Sequence, residues 1–460
     1  MQRAENSLRS DRKGGFMRSA NNRLATQNPL PLYMHYLIPS ILATLLIAGT
    51  YLVDTIVVGR SLGESGLAAL NVVVPVTGLM YAAGFMFGFG SSNLFSNSLG
   101  GGNEKTARAY YGTSVLGLFI FSLLVMIPGL LFTRKIASML CGGAAFSAQT
   151  EQYLRYVFWF APFYCFETFY TVYVRNDDAP VFSMAGTFTT TLANIILDYM
   201  LVVVYPWGMT GASLATGIAL VLGFSVVFCS TLRRKSRLNL WKSGLQMKLM
   251  GKIILNGTSD FFREIAGSSL VLVVNLVLLQ VSGMTAVAAY SVIANLGNVV
   301  LCGLAGVANT VQPLASYSIG AGNRKRAVFF LRTGVITTLI LAGIYTLFAE
   351  FRPDTLVTVF LEDPTPDLLK LSTAGIRIIS AGYVFAGLTN LLAVFMEAEH
   401  EPRSAFTVTI LHGFALPLAS LTVLTLLMDV NGVWISFLIS EALSLLIAAL
   451  MYRRIQIKTA

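Results

Sequence analysis

Asn194 and Asp198, at the two ends of Asn194-Ile-Ile-Leu-Asp198, set a carboxamide and a carboxylate inside a run that is otherwise lipid-soluble. On a helix that spacing puts both on one face. Carrying an Asp toward the middle of a bilayer costs roughly 2.5 to 3.5 kcal/mol on insertion scales, so an Asp kept there binds an ion, moves a proton or meets a partner. Counting by helix rise along the apolar runs brings Asp54, near the outer end of the first run, and Thr216, early in the sixth, into the same outer half. Two carboxylates, a carboxamide and a hydroxyl offer only oxygen ligands, the set a hard cation takes, and Asp54, Asn194 and Asp198 are the expected holders of a sodium ion. A proton suits the cluster equally, because two acids withdrawn from water and set side by side do not both stay ionised. Taken singly, an Asn or a Thr would be read as glue between helices.

A second group lies in the other half of the chain. In Asp260-Phe-Phe-Arg263-Glu264 the two acids share a helix face, and Glu264 and Glu441 both fall near mid-depth, where they would draw organic cations into a central cavity. An internal pair between Arg263 and an acid, holding the seventh helix in place, explains the same residues. The aromatic fourth run, Phe158-Trp-Phe160 through Phe163 and Phe166 to Phe169, Tyr170 and Tyr173, offers faces to flat cations, but lipid or interface contact is the expected role. His412 in the eleventh run is expected to be a hydrogen-bonded histidine rather than a proton relay. Cys141, Cys165, Cys229 and Cys302 are scattered without metal or redox spacing and read as apolar fillers. No cofactor is expected beyond the coupling ion, sodium or proton.

The elements that must position these groups follow from composition. Of 460 residues, 55% are apolar and 12% charged, which excludes an ordinary soluble domain and predicts an all-α polytopic membrane protein. Runs long enough to cross ~30 Å of hydrocarbon recur twelve times, near 33–58, 67–99, 107–133, 152–174, 180–205, 209–232, 251–281, 286–319, 327–350, 367–396, 402–427 and 431–452. With the N-terminus inside, 23 Lys and Arg fall in tails and cytoplasmic loops and 5 outside, leaving Arg155, Arg263, Arg332 and Arg377 within runs. That bias predicts both termini in the cytoplasm. The net charge of +10 therefore reports topology, and nucleic acid is not an expected partner. The first 30 residues are polar and basic with no cleavable leader in evidence, so the first run should serve as its own insertion signal.

A shift of 220 residues aligns Ala68-Ala69 with Ala288-Ala289 and Gly100-x-Gly102-Asn103-x-Lys105-x-Ala107 with Gly320-x-Gly322-Asn323-x-Lys325-x-Ala327. This internal repeat predicts a basic tail at 1–32, a six-helix bundle at 33–232, a linker at 233–250, a second bundle at 251–452 and a short tail at 453–460. Each half has an even number of runs, so the pseudo-two-fold axis runs along the membrane normal with a substrate path between the bundles. Pro39, Pro75, Pro128, Pro162, Pro313 and Pro417 lie inside runs and favour bends.

Val53-Asp-Thr-Ile-Val-Val-Gly59, the Gly-x-Gly-Asn loops after the second and eighth runs, Asn194-Ile-Ile-Leu-Asp198 and Gly211-Ala-Ser-Leu-Ala-Thr216 together resemble the multidrug and toxic compound extrusion transporters along nearly the whole chain. That resemblance implies two six-helix bundles around a V-shaped cavity and export of cationic, often aromatic, compounds in exchange for sodium ions or protons. It carries Asp54, Asn194, Asp198 and Thr216 onto the family's amino-terminal cation site and Pro39 onto its first-helix bend. Glu264 resembles the seventh-helix acid of some branches. Here Arg263 precedes it, and the tenth run carries Arg377 instead of a mid-membrane acid. The expectation is a monomeric, non-enzymatic antiporter of the plasma (inner) membrane, with small organic molecules and the lipid bilayer as its partners. Two alternatives stand beside it. A flippase for lipid-linked sugars would need a basic cavity, for which Arg155, Arg263 and Arg377 are the candidates. A membrane-embedded prenyl transferase would use Asn176-Asp177-Asp178 to hold magnesium and pyrophosphate, yet lacks a second Asp-rich loop. A ligand receptor without transport leaves the repeat unexplained.

Overall fold

The computed structural model describes residues 23–141, 146–233, 236–239, 243–358 and 365–459, so most of the basic N-terminal tail and part of the mid-chain linker lie outside it. Every regular element among the described residues is helical. Nine stretches are long and apolar enough to cross a membrane: Pro29–Gly63, Ser65–Gly100, Glu104–Leu131, Pro180–Val204, Gly208–Leu232, Thr285–Gly320, Arg324–Phe351, Pro366–Ala398 and Pro402–Ile457. The last is 56 residues long and breaks at Asp429, so it contains the expected eleventh and twelfth runs. The fourth run is divided at Phe160 into Ser147–Trp159 and Ala161–Asn176, with Pro162 in the first turn of the second piece. The seventh run, the first part of Met250–Gly320, carries Lys252, Asp260, Arg263 and Glu264, and its Val273–Gly283 end is a shorter apolar stretch free of charged residues. The first helix passes through Pro39 with helical dihedrals on both sides and breaks only at Gly63.

The repeat is written into the backbone. Positive φ occurs at Gly63 (67°) and Gly283 (72°), at Gly102 (76°) and Gly322 (71°), at Asp178 (57°) and His400 (63°), and at Gly208 (60°) and Asp429 (52°). Each pair occupies the same joint of the two halves, 220 to 222 residues apart. Gly63 and Gly283 also share ψ near −161° and −162°, a region open almost only to glycine, and this lets one spanning helix turn directly into the next. At the opposite joints Asn103 and Asn323 cap the following helices, accepting from the backbone N–H groups of Thr106 and Arg326 at 3.0 and 3.1 Å.

Phe158, Tyr164, Phe169, Tyr170 and Tyr173 of the fourth span are buried in the core of the first half with Tyr111 and Phe95. Trp159 is exposed, whereas the burial of these rings inside the bundle overturns the expected lipid contact for them. A helix surrounded by the others of its own bundle has little lipid face, and large rings fill the space between them.

The halves are joined at the end that carries both described termini, where Arg326 donates to the Gln27 carbonyl at 2.7 Å. There the first helix packs Leu32, Tyr33 and Tyr36 among Val307, Phe330 and Phe395 of the second half, and Ile253 of the seventh span enters the core of the first. Gly100 and Gly320, equivalent under the repeat, let the second and eighth spans touch backbone to backbone, since a Cβ on either would strike the other helix. Beside them Gln312 donates to the Asn93 side-chain oxygen at 2.5 Å and accepts from the Asn176 amide at 3.1 Å, while Ser316 and Ser96 donate to Asn93 and Asn176. Toward the opposite end each half keeps its own apolar cluster, Val73, Met80 and Val202 in one and Leu278, Ile293 and Trp434 in the other.

Candidate functional site

Asn194 and Asp198 are both 1% exposed, inside the first bundle and one turn apart on the fifth span. Asp198 is the last α-helical residue before a π-helical stretch, Tyr199–Val204, where Tyr205 N–H reaches back to the Met200 carbonyl at 2.9 Å. Such widened turns are frequent beside functional residues. Asp54, from the first span, comes within hydrogen-bonding reach of both Asp198 and Asn194. Thr216, from the sixth, accepts from the Asn194 amide at 3.3 Å and also meets Tyr153. The four residues named from the sequence therefore converge from three helices.

What these side chains leave unsatisfied defines the chemistry. Asp54 Oδ1, Asp198 Oδ2 and Asn194 Oδ1 are all buried without a donor among the described residues. Stranding such acceptors is costly, and two adjacent acids away from water require a proton or a cation between them. Oxygen is the only ligand type on offer, which fits a hard monovalent cation or a proton. Among the described residues no group of three or more His, Cys, Asp or Glu gathers as a metal site. Tyr153 escaped the sequence reading because it lies far along the chain in the fourth span, and only the packing of spans four and six brings it to Thr216.

The second half arranges its acids differently. Asp260 pairs with Arg263, whose guanidinium also donates to the Asn390 oxygen at 3.4 Å. Glu397, 1% exposed, accepts from Ser259 at 2.6 Å and lies within electrostatic range of Arg263. Sequence counting missed Glu397 because it placed this residue at a loop, whereas the tenth helix continues to Ala398 inside the fold. Glu441 stands 2.9 Å from His412 Nδ1, a separation that calls for a shared proton, and His412 lies in a second π-helical stretch, Leu411–Ala415. Glu264 is half-buried and within electrostatic range of Tyr51, as Asp54 is. Arg263, paired with Asp260, is also within electrostatic range of Glu264 and of His412, the partner of Glu441.

Other sequence candidates have structural employment. Asp177, at the loop end of the fourth span, accepts from Ser236 at 2.7 Å and from the Arg237 N–H at 3.1 Å, and Asp178 accepts from Tyr36 at 3.0 Å. Burial lifts the Asp177 carboxyl from the ordinary 3.8 to about 6, against the lowering pull of those bonds. Arg155 and Arg377 are exposed.

The family model MatE matches residues 39–200 and 261–421, one segment in each half. The multidrug export protein MepA of Staphylococcus aureus is 25% identical over 424 residues, covering 91% of this chain and 92% of that protein. Among solved structures, an outward-facing conformation of a multidrug resistance MATE family transporter of the MOP superfamily superposes with a TM-score of 0.86 at 16% identity, covering 94% of this chain and 97% of the other. A variant of the Vibrio cholerae MATE transporter VcmN gives a TM-score of 0.83 at 18% identity, covering 92% and 96%.

Proposed function

The chain belongs to the MatE family, and from that premise we propose that it is an antiporter exporting small organic, mainly cationic or aromatic, compounds in exchange for sodium ions or protons. The relative MepA, named as a multidrug export protein, supports export of drug-like compounds. The observation that carries the coupling is the trio of donorless buried oxygens on Asp54, Asn194 and Asp198. Loading that trio neutralises the acid pair and favours one facing of the two halves, while substrate favours the other, because a ligand drives a conformational change only through unequal affinity for the two states. The joined end, with its basic loops, faces the cytoplasm of a plasma membrane with both termini inside, and the separately packed end faces out. Pro39, through which the first helix runs unbroken in this structure, is the point at which that helix would bend in the other facing, and a single chain suffices for transport.

A lipid-linked saccharide flippase would need cations free to meet pyrophosphate. Arg263 is instead neutralised by Asp260, and Arg155 and Arg377 point out of the fold. A prenyl transferase would need Asn176, Asp177 and Asp178 for magnesium, but their oxygens are taken up by Ser96, Ser236, Arg237 and Tyr36. Both readings are weaker for those reasons.

Efflux from proteoliposomes under separately imposed sodium and proton gradients tests the proposal. One gradient should drive export, and Asp198→Asn should abolish the driven component. A substituted protein that exports like the parent would remove the site from the mechanism.

A further inference from the structure

Glu167 lies in the second piece of the fourth span, among aromatic residues, and the coupling site does not use it. Its side chain is 9% exposed. Thr171 and Thr190 both donate to Oε1, at the long distances of 3.5 and 3.4 Å, and no donor meets Oε2 among the described residues. Among the described residues no Lys, Arg or His forms an ion pair with it, in contrast to the buried Asp260 and Glu441. The rings of Tyr51 and Tyr81 stand within its electrostatic range, Tyr81 held edge-on against Tyr164 at 5.4 Å. Tyr51 is half exposed and is also within range of Glu264 across the two halves.

A lone carboxylate without a basic partner, with two threonine hydroxyls on it and tyrosines within its electrostatic range, differs from the coupling cluster, which sets two acids and a carboxamide together. A single acid without a paired second acid, near aromatic side chains, suits the diffuse charge of ammonium and other soft organic cations. We propose that Glu167, with Tyr51 and Tyr81, anchors the positively charged group of an exported organic cation, separately from the coupling ion. This rests on the antiporter reading above and adds to it the residue that selects for positive charge.

The test uses the full chain in nanodiscs and proteoliposomes, with tetraphenylphosphonium as the permanently charged probe and Nile red as the uncharged one. Glu167→Gln, which keeps the size and the threonine contacts, should weaken tetraphenylphosphonium binding about tenfold or more and leave gradient-driven Nile red export at the parental rate. Glu167→Asp, which keeps the charge, should retain tetraphenylphosphonium binding within about threefold, and this separates loss of the anchor from loss of folding. Unchanged tetraphenylphosphonium binding in Glu167→Gln overturns the proposal. So does loss of export for both probes, which would make Glu167 part of ion coupling. Asp198→Asn is measured in parallel: if it exports both probes like the parent, the coupling reading fails, while the equilibrium binding result for Glu167 is decided independently.

Discussion

Replacing Gln312 by Leu should loosen the end at which the two halves meet. Gln312 is fully buried on the eighth span, donates to Asn93 at 2.5 Å and accepts from Asn176 at 3.1 Å, and both partners belong to the other half. Leu keeps most of the volume and removes both bonds, together with the longer donations from Gln312 Nε2 to the Asn176 oxygen at 3.3 Å and the Ser92 hydroxyl at 3.5 Å. Asn93 retains its bond from Ser316, and Asn176 retains the one from Ser96 and its own to the Val172 carbonyl, so the main loss is the two short bonds, the longer contacts adding little, and no partner is stranded. At ~0.5 to 1.5 kcal/mol each, closure weakens by about 1 to 3 kcal/mol, a rise of roughly 5- to 150-fold in the opening equilibrium. These bonds exist only while the halves are together, so the change should appear in opening and not in the stability of either bundle. Hydrogen–deuterium exchange in nanodiscs reads it directly: protection should fall by that factor in peptides covering 92–100 and 312–320 and stay level over 333–345 in the ninth span. Equal changes in all three segments, or none in the first two, would refute the argument that this amide network holds the halves shut.

Arg263→Ala strands the fully buried Asp260 and should cost about 3 to 5 kcal/mol in thermal unfolding, with Asp260→Asn in the same chain recovering most of it; an unshifted single variant would show that the pair holds nothing. The folded chain binds the Asp177 proton more tightly than the unfolded one, so this group adds stability below about pH 4 and loses it as pH rises through about 6, a change of up to about 3 kcal/mol. Asp177→Asn should flatten melting temperature across that window, and a profile that keeps its slope would assign it to other groups. Gly63→Ala and Gly283→Ala should each destabilise by roughly 1 to 3 kcal/mol and by similar amounts, because the two residues share one backbone conformation reserved for glycine. Markedly unequal melting shifts would break that equivalence.

Much of the architecture was legible in the linear chain because bilayer thickness imposes a length on apolar runs and duplication imposes a spacing. The 220-residue offset of Gly100 and Gly320 reappears as matched dihedrals at four pairs of joints. Asp54, Asn194, Asp198 and Thr216 could be nominated in advance because burying oxygen-rich side chains in hydrocarbon is costly enough to single them out. The same reasoning named Glu264 and Glu441 and left their neighbours open, since counting along a helix measures depth but not the direction a side chain faces. Tertiary packing decided those directions: it tied Asp260 to Arg263, set Glu441 against His412, turned the fourth-span rings into a core and carried the tenth helix far enough to bury Glu397. Among the described residues it also left Glu167 without a basic partner and three oxygens of the acid cluster without donors. Residue type and spacing determine which groups are expensive to bury, whereas whether a group has its partner depends on contacts between helices hundreds of residues apart, and no local pattern encodes these.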